Sequence, residues 1–380
     1  MAEFDLAIIG AGLAGCSLAG RLAQLNSPFN IVVIEAGRGP GGRTASRRRR
    51  DDINWRVDHG APGFSLSKPL PPDVETLLEP LRISGTLQRD SRPVIGVDEQ
   101  GGVVPATGAA APTGGWWHGV PCMASICEQL LPMDPGLKTQ FGTRVRWLDH
   151  RDGRWWLADE NRGWSISARR LVLSGSLLAH PRSLAMLAWS DVPLRSAVRA
   201  GVDPQLDEVL HHLQNSQSAV RWNLMLDLGH VNSDQQDLPR QIWLTEAARK
   251  RWQVERLVVH PQSDGRIALV VHGLDGGEAI TPESQPALMK QKERELQHCL
   301  PELLRCIPAL QHALTKSTSL GVMRWGASQP LDHPLPTRLQ WCSSSAVGFC
   351  GDWIEGPGFG TAEAAIRSGV ELAERLQDAS

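Results

Sequence analysis

The chain has 380 residues, more than one hydrophobic core usually organises, so two domains, or one domain with a large insertion, are expected. Hydrophobic residues at 41% and charged residues at 21% exclude a disordered chain, and a formal net charge of -2 excludes a protein dedicated to polyanions, hence nucleic acid as a partner. The opening MAEFDLAIIGAG lacks the basic and long apolar regions of a secretory signal, and no run elsewhere is long and apolar enough to span a bilayer.

Phe4, Leu6, Ile8 and Ile9 lie in a short apolar run of the kind a buried parallel strand shows, leading into GAGLAG with glycines at 10, 12 and 15. Leu18, Leu22 and Leu25 then recur at helical spacing, and residues 31–34 form a second strand ending at Glu35. This is a complete βαβ unit for a dinucleotide: Gly10 for the tight turn, Gly12 for close approach of the pyrophosphate, Gly15 for packing of helix on strand. The helix N-terminus faces the phosphates, and Glu35, twenty positions beyond Gly15, is placed to accept from a ribose 2′-hydroxyl, which disfavours a 2′-phosphate.

The fingerprint alone does not separate FAD from NAD. Directly after Glu35 comes AGRGPGGR, whose Gly41, Gly42 and Arg43 bring backbone amides and a charge-assisted donor to a second side of a pyrophosphate. Near the other end, AVGFCGDW reads as an apolar strand ending in Gly351-Asp352. A helix then begins just after Gly358 and Gly360, with Ala362, Ala365, Ile366, Gly369, Val370 and Ala373 on one face. A helix dipole aimed at a flavin favours the negative charge it gains on reduction. These features select FAD.

Between the ends, RVRWLDHRDGRWWLAD reads as a hairpin turning at Asp152-Gly153, and RLVLSGSLLAHPRSLAML as a buried strand followed by a helix. The runs SAVRWNLMLDLG, RQIWLT, RLVVHP and RIALVVHG read as strands of one sheet, with PALMKQKERELQHCLPELL as a helix packed on it. Proline-rich SKPLPPDVE and small-residue ATGAAAPTGG read as crossings between domains, the latter alternatively as a flexible loop. The seven cysteines (16, 122, 127, 299, 306, 342, 350) show neither CxxC nor zinc spacing, so the expectation is reduced thiols in a cytoplasmic protein with no metal site.

GAGLAG with Glu35, GGRTASRR, VDHGAPGFS, WWHGVPCMASICEQL, the RW of MRWGAS and the final GDW with its helix together resemble the FAD-dependent amine-oxidase-like superfamily, and within it the renalase-type flavoproteins. The resemblance implies an α/β (α+β overall) fold: a discontinuous Rossmann-type FAD domain (1–66, 116–188, 321–380) and a substrate domain on a mixed or antiparallel sheet plus helices (67–115, 189–320). It implies noncovalent FAD, since Ala327 and no cysteine follows the RW pair. Contacts are implied at Gly10, Gly12, Ala14, Gly15, Glu35, Ala36, Gly42, Arg43, Gly60, Ala61, Val145, Gly351, Asp352, Gly358, Phe359, Thr361 and Ala362.

The family activity implied is hydride transfer from a small substrate to flavin N5, with oxygen or another acceptor reoxidising the flavin; for the renalase type the substrates are isomeric dihydronicotinamide dinucleotides. An amine oxidase, a desaturase or isomerase on a hydrophobic substrate, and a noncatalytic FAD-binding protein are the alternatives. The chain has no tyrosine with which to build an aromatic amine cage. Trp325 is a candidate wall of the flavin or substrate pocket, and Lys316 is the one lysine in a matching region; its plainer reading is a surface lysine. His59 and His118 read as structural. The four arginines at 47–50, beside two aspartates, read as a solvated hairpin or loop with self-compensating charge, with capture of an anionic substrate as the second reading.

Overall fold

A computed structural model of the chain describes residues 2–49, 51–52, 54–106, 115–277, 280–281 and 283–378. The last arginine of the run and residues 107–114 of the small-residue stretch lie outside the described residues.

The strand Ala2–Ile9, the helix Leu13–Gln24 and the strand Ile31–Ile34 form the expected βαβ unit. All four residues of Ile31–Ile34 are buried, as befits a strand covered on both faces. Five parallel strands run in the order Lys138–Gln140, Ile31–Ile34, Ala2–Ile9, Ser165–Leu173, Val347–Phe349, the strand order of a doubly wound dinucleotide-binding sheet. The hairpin Val145–Arg151 with Arg154–Asp159 adds antiparallel strands to the first half of Ser165–Leu173. Its turn residues Asp152 (φ 52°) and Gly153 (φ 66°) both adopt the left-handed conformation a two-residue hairpin needs.

One face of this sheet is covered by the helices Leu13–Gln24, Pro72–Ile83, Ala124–Leu130 and Ala362–Asp378, which bury Leu18, Leu77, Ile126 and Ile366 in a common cluster. The other face packs Trp155, Leu171 and Phe349 against Leu206, Val209 and Leu213 of the helix Pro204–Asn215.

The second sheet has seven strands in the order Thr318–Pro330, Ser218–His230, Arg266–Leu274, Val254–Pro261, Gln241–Leu244, Val94–Val97, Val103–Pro105, antiparallel except where Gln241–Leu244 meets Val94–Val97. Alternation sorts its side chains. Leu224, Leu226, Leu257, Val259, Leu269 and Val271 face the helices Gln285–Leu303 and Pro308–Leu314, while Met225, Val258, Ala268 and Val270 face Trp55 and Val57. No helix among the described residues is long and apolar enough to cross a membrane.

The packing groups the segments differently from boundaries at 67, 189 and 321. Pro72–Ile83 sends Val74, Leu77, Leu78 and Leu81 into the Rossmann core, and residues 194–213 supply Leu194, Val198 and Leu206 to its other face. Conversely, the strand Thr318–Pro330, which carries the RW pair, belongs to the second sheet because it pairs with Ser218–His230 along nearly its whole length.

Candidate active site

The cradle begins where the first strand ends. A Cβ on Gly15 would lie 2.2 Å from the carbonyl oxygen of Gly10, so only glycine lets the helix start this close to the strand. Glu35 holds the loop open: its Oε2 accepts from the Ala11 amide at 2.9 Å and its Oε1 from Gly37 at 2.7 Å. A carboxylate retains lone pairs beyond these two bonds, so the predicted ribose contact is compatible with the loop role. The helix Leu13–Gln24, in which Ala14 is buried, has no side-chain cap and no acid in its first turn. That leaves its positive end free for an anion. The Gly41 amide donates to Ala11 O at 2.7 Å, laying the GGR loop against the first glycines, while a Cβ on Gly12 would meet nothing nearer than 3.9 Å. The cradle therefore fits a pyrophosphate. Ala36 is exposed beside Glu35, and Val145, 3% exposed, starts the strand just after Thr143, whose amide donates to Glu35 O at 3.0 Å.

The two ends of the chain meet at Arg43. Its guanidinium grips Asp352 bidentately, Nη1 to Oδ2 at 2.7 Å and Nη2 to Oδ1, and also reaches Ser328 O at 3.3 Å. Asp352 is 4% exposed. Its carbonyl accepts from Gly360 at 2.8 Å, the Gly351 amide donates to Ser368 Oγ at 2.8 Å, and Thr361 Oγ1 donates to Gly358 O at 2.6 Å. The GD strand end and the start of the helix Ala362–Asp378 are thereby one unit, with Phe359 half-buried between them. A third charge stands here that sequence reasoning did not single out. Arg182, hydrogen-bonded to Ser176 Oγ at 2.8 Å, is lowered to about 10 by burial and then by the neighbouring Arg43 charge.

The segment 58–61 crosses beneath the second sheet. The Ala61 amide donates to Arg43 O at 2.9 Å, and a Cβ on Gly60 would lie 2.0 Å from that same oxygen and 3.4 Å from the Trp325 ring. His59 stacks on Trp325, centroids 5.2 Å apart and planes at 16°. The His59 carbonyl accepts from Trp325 Nε1 at 3.0 Å and Asn223 Nδ2 at 2.6 Å. Burial, and then the Arg47 charge, pull the His59 imidazole down to about 4, so it is neutral at ordinary pH. Asp58 points the other way, accepting from Ser46 Oγ and the Met123 amide, and burial pushes its carboxyl up to about 7. It lines a cavity of about 290 Å³ with Asp90, Arg92, His118, Arg240 and His260.

Direct contacts thus link Gly10, Gly12, Gly15, Glu35, Gly42, Arg43, Gly60, Ala61, Gly351, Asp352 and Trp325 into one continuous set. Lys316 does not join them. It is exposed in the turn after the helix Pro308–Leu314; the strand that follows pairs Thr318 with Asp227, whereas Trp325 pairs with Arg221 at the sheet's other end. The arginine run forms a hairpin, Ser46–Arg48 against Arg56–Asp58, with compensated charge: Arg48 pairs with Glu128 at 2.6 Å and Arg49 with Asp51 at 2.6 Å. Arg49 also reaches the buried Asp227 at 2.7 Å and Asp52 pairs with Arg266, so the hairpin is tied to the second sheet as well as solvated. Arg47 is exposed and makes no salt bridge among the described residues.

Residues 8–80 match the sequence model of an NAD(P)-binding Rossmann-like domain. No curated protein matches the chain in sequence. Among solved structures, a protein assigned as a protoporphyrinogen oxidase from Exiguobacterium sp. 255-15 superposes with a TM-score of 0.63 at 12% identity, over 100% of this chain and 99% of that one. A cofactor-binding redesign of putrescine oxidase, a triple mutant, gives 0.63 at 14% identity over 100% and 99%. Wild-type putrescine oxidase bound to putrescine gives 0.61 at 13% over 99% of both chains. The Rossmann sheet and the second sheet give this chain the fold of these protoporphyrinogen oxidase and putrescine oxidase structures.

Proposed function

We propose that the chain is an FAD-dependent oxidoreductase, with noncovalent FAD, that takes a hydride from a small substrate, and that this substrate is an isomeric dihydronicotinamide dinucleotide, as in renalase-type enzymes. The observation that carries the reading is the junction of Arg43, Gly60 and Trp325 with Asp352, which ties both Gly-rich helix starts to one groove. Gly10, Gly12, Ala14, Gly15 and the GGR loop would hold the pyrophosphate; Glu35, Ala36 and Val145 the adenosine side; Asp352 with Gly358, Phe359, Thr361 and Ala362 the flavin side. Bound FAD would supply the hydride acceptor and pass two electrons on to oxygen or another acceptor. The chain's own part is to orient the donor carbon and exclude water. Gly60, Ala61 and the His59–Trp325 stack form an uncharged wall, and a dihydronicotinamide needs no side-chain base, because its hydride leaves a carbon without prior removal of a proton.

A diamine fits less well. Around the groove stand Arg43, Arg182 and Arg47, and on the sheet face Arg221 and Arg256, against Asp352 and Glu255, each already paired with an arginine. That balance favours an anionic substrate over a dication. Seven free cysteines accord with a reducing, cytoplasmic setting. The test is anaerobic mixing of yellow holoprotein with borohydride-generated NADH isomers and, separately, with putrescine, following loss of the visible flavin band. Rapid bleaching by the isomers is expected; a colourless protein that cannot be reconstituted with FAD, or bleaching by the amine alone, overturns the reading.

A further inference from the structure

Met323, Asn223, His272, Arg256 and Trp243 are direct partners in register on five successive strands, so they stand in one line across the second sheet. Their neighbours along each strand, Val322, Leu224, Val271, Leu257 and Ile242, face the helices behind. The line therefore lies on the opposite face, the one that Asn223 turns toward His59. It starts at the site already described, because Asn223 Nδ2 donates to the His59 carbonyl at 2.6 Å. The next line on this face, Met225, Val270, Val258 and Gln241, reaches the cavity of about 290 Å³ through its last two members.

This line leaves several buried polar atoms unpaired among the described residues. Asn223 is 1% exposed and His272 3%, yet among the described residues Asn223 Oδ1, His272 Nε2, Arg256 Nε and the adjacent His59 Nδ1 are buried atoms without a hydrogen-bond partner. Buried polar groups are nearly always satisfied, and three orphans in one row with a fourth beside it mark a place where something else completes them. Their charge says what. Glu255 is taken by Arg221 at 2.8 Å, whereas Arg256 makes no salt bridge among the described residues and is held over the Trp243 ring at 4.8 Å. Burial, then the Arg256 charge, keep His272 well below its ordinary range and hence neutral. The row offers one oriented cation flanked by neutral donors and acceptors.

We infer that the row Asn223, His272, Arg256 recognises the substrate through an anionic group, a carboxylate or phosphate received by the Arg256 guanidinium, with the substrate's polar atoms completing Asn223 and His272. This rests on the proposed function only in taking the His59–Trp325 end as the redox site. The neutral imidazoles hydrogen-bond the ligand without adding charge, and Trp243 fixes the plane of the guanidinium so that two parallel bonds can form.

The test uses oxidised holoprotein and binding alone. Nicotinamide mononucleotide, nicotinamide riboside and benzoate are titrated while shifts of the visible flavin band and tryptophan fluorescence are followed. Wild type is expected to bind the mononucleotide or benzoate at least about tenfold more tightly than the riboside. Arg256→Gln should abolish that preference and leave riboside binding unchanged, with Arg256→Lys keeping part of it. Dependence on Arg256 for the mononucleotide alone identifies a phosphate, and for benzoate alone a carboxylate. If Arg256→Gln loses flavin, Arg256→Lys and the salt dependence of the wild-type preference decide the matter. An unchanged ratio in the variants, or no preference in wild type, overturns the inference. Reduction by putrescine but not by dihydronicotinamides would overturn the proposed function while leaving this ratio to stand or fall on its own.

Discussion

The cofactor cradle and the sheet face above it are built on opposite plans. In the cradle the key polar groups hold one another: both oxygens of Glu35 hold backbone amides, Arg43 and Asp352 close bidentately, and Ser368 caps Gly351. On the sheet face Asn223, His272 and Arg256 keep buried atoms without partners among the described residues. The first plan preorganises a fixed shape for a resident group; the second holds binding capacity in reserve for a molecule that comes and goes.

The severest way to break this division is to fill the cradle. Gly15→Ala puts a methyl 2.2 Å from the Gly10 carbonyl, a backbone atom that cannot move without shifting the strand end. We expect purified protein with little or no flavin, at least about a hundredfold weaker FAD binding and a lowered thermal midpoint, measured by the flavin-to-protein absorbance ratio and by thermal melts. Next in size is Arg43→Ala, which leaves Asp352 buried at 4% exposure without its partner. Breaking such a pair from one side costs about 3 kcal/mol. Asp352→Asn, which retains a neutral acceptor, should cost less in chemical denaturation, and equal losses would argue against a buried pair.

Much of the cradle is legible in the sequence because its parts are local: strand, glycines, helix and Glu35 fall within one stretch, and Asp152-Gly153 announces its own turn. Arg43 and Asp352 are readable individually, but their pairing spans the whole chain. The domain boundaries are harder. Pro72–Ile83 follows a proline cluster that reads as a crossing, yet Val74, Leu77, Leu78 and Leu81 carry a helical stripe that its burial in the Rossmann core explains. The recognition row is not legible at all. Its members come from strands up to 100 positions apart in the chain, Asn223 to Met323, and only the register of five pairings brings them into line. His59 and Arg182 likewise look ordinary until Trp325 and Arg43 are seen beside them.

A smaller effect comes from the seam between the two regions. Asp58 has its carboxyl raised to about 7 by burial, only partly offset by the Ser46 hydroxyl, the Met123 amide and the Arg56 charge. Well below the ordinary aspartate value of 3.8, folded and unfolded chains both hold this proton. As pH rises toward 7 the unfolded chain releases it first, so the folded state binds more protons and stability falls across that window. His260, 3.9 Å away, is pulled down to about 3 and titrates below it. Asp58→Asn keeps an acceptor for Ser46 and Met123, and should flatten this slope and exceed wild type at pH 8 by about 2 kcal/mol. Denaturation midpoints at pH 5 and 8 measure it; parallel slopes in the two proteins would count against a buried neutral carboxyl.

The smallest effect belongs to the arginine hairpin. Asp227, with 7% of its side chain exposed, takes Arg49 at 2.7 Å and Arg266 at 3.5 Å, so it ties the hairpin that carries Asp58 and His59 to the second sheet. Asp227→Asn still accepts from the Gly229 amide, and the two arginines keep Asp51, Asp52 and Asp264. The loss should be about 1 kcal/mol, with flavin content and the mononucleotide-to-riboside ratio unaltered. A drop in bound FAD would mean that the hairpin's anchoring sets the position of Gly60 against Arg43, and that the cradle depends on the sheet above it. Unchanged FAD with a lower melting point keeps the two regions separate: the fixed cradle is held by its own bonds, and the hairpin serves only to hold the substrate face over it.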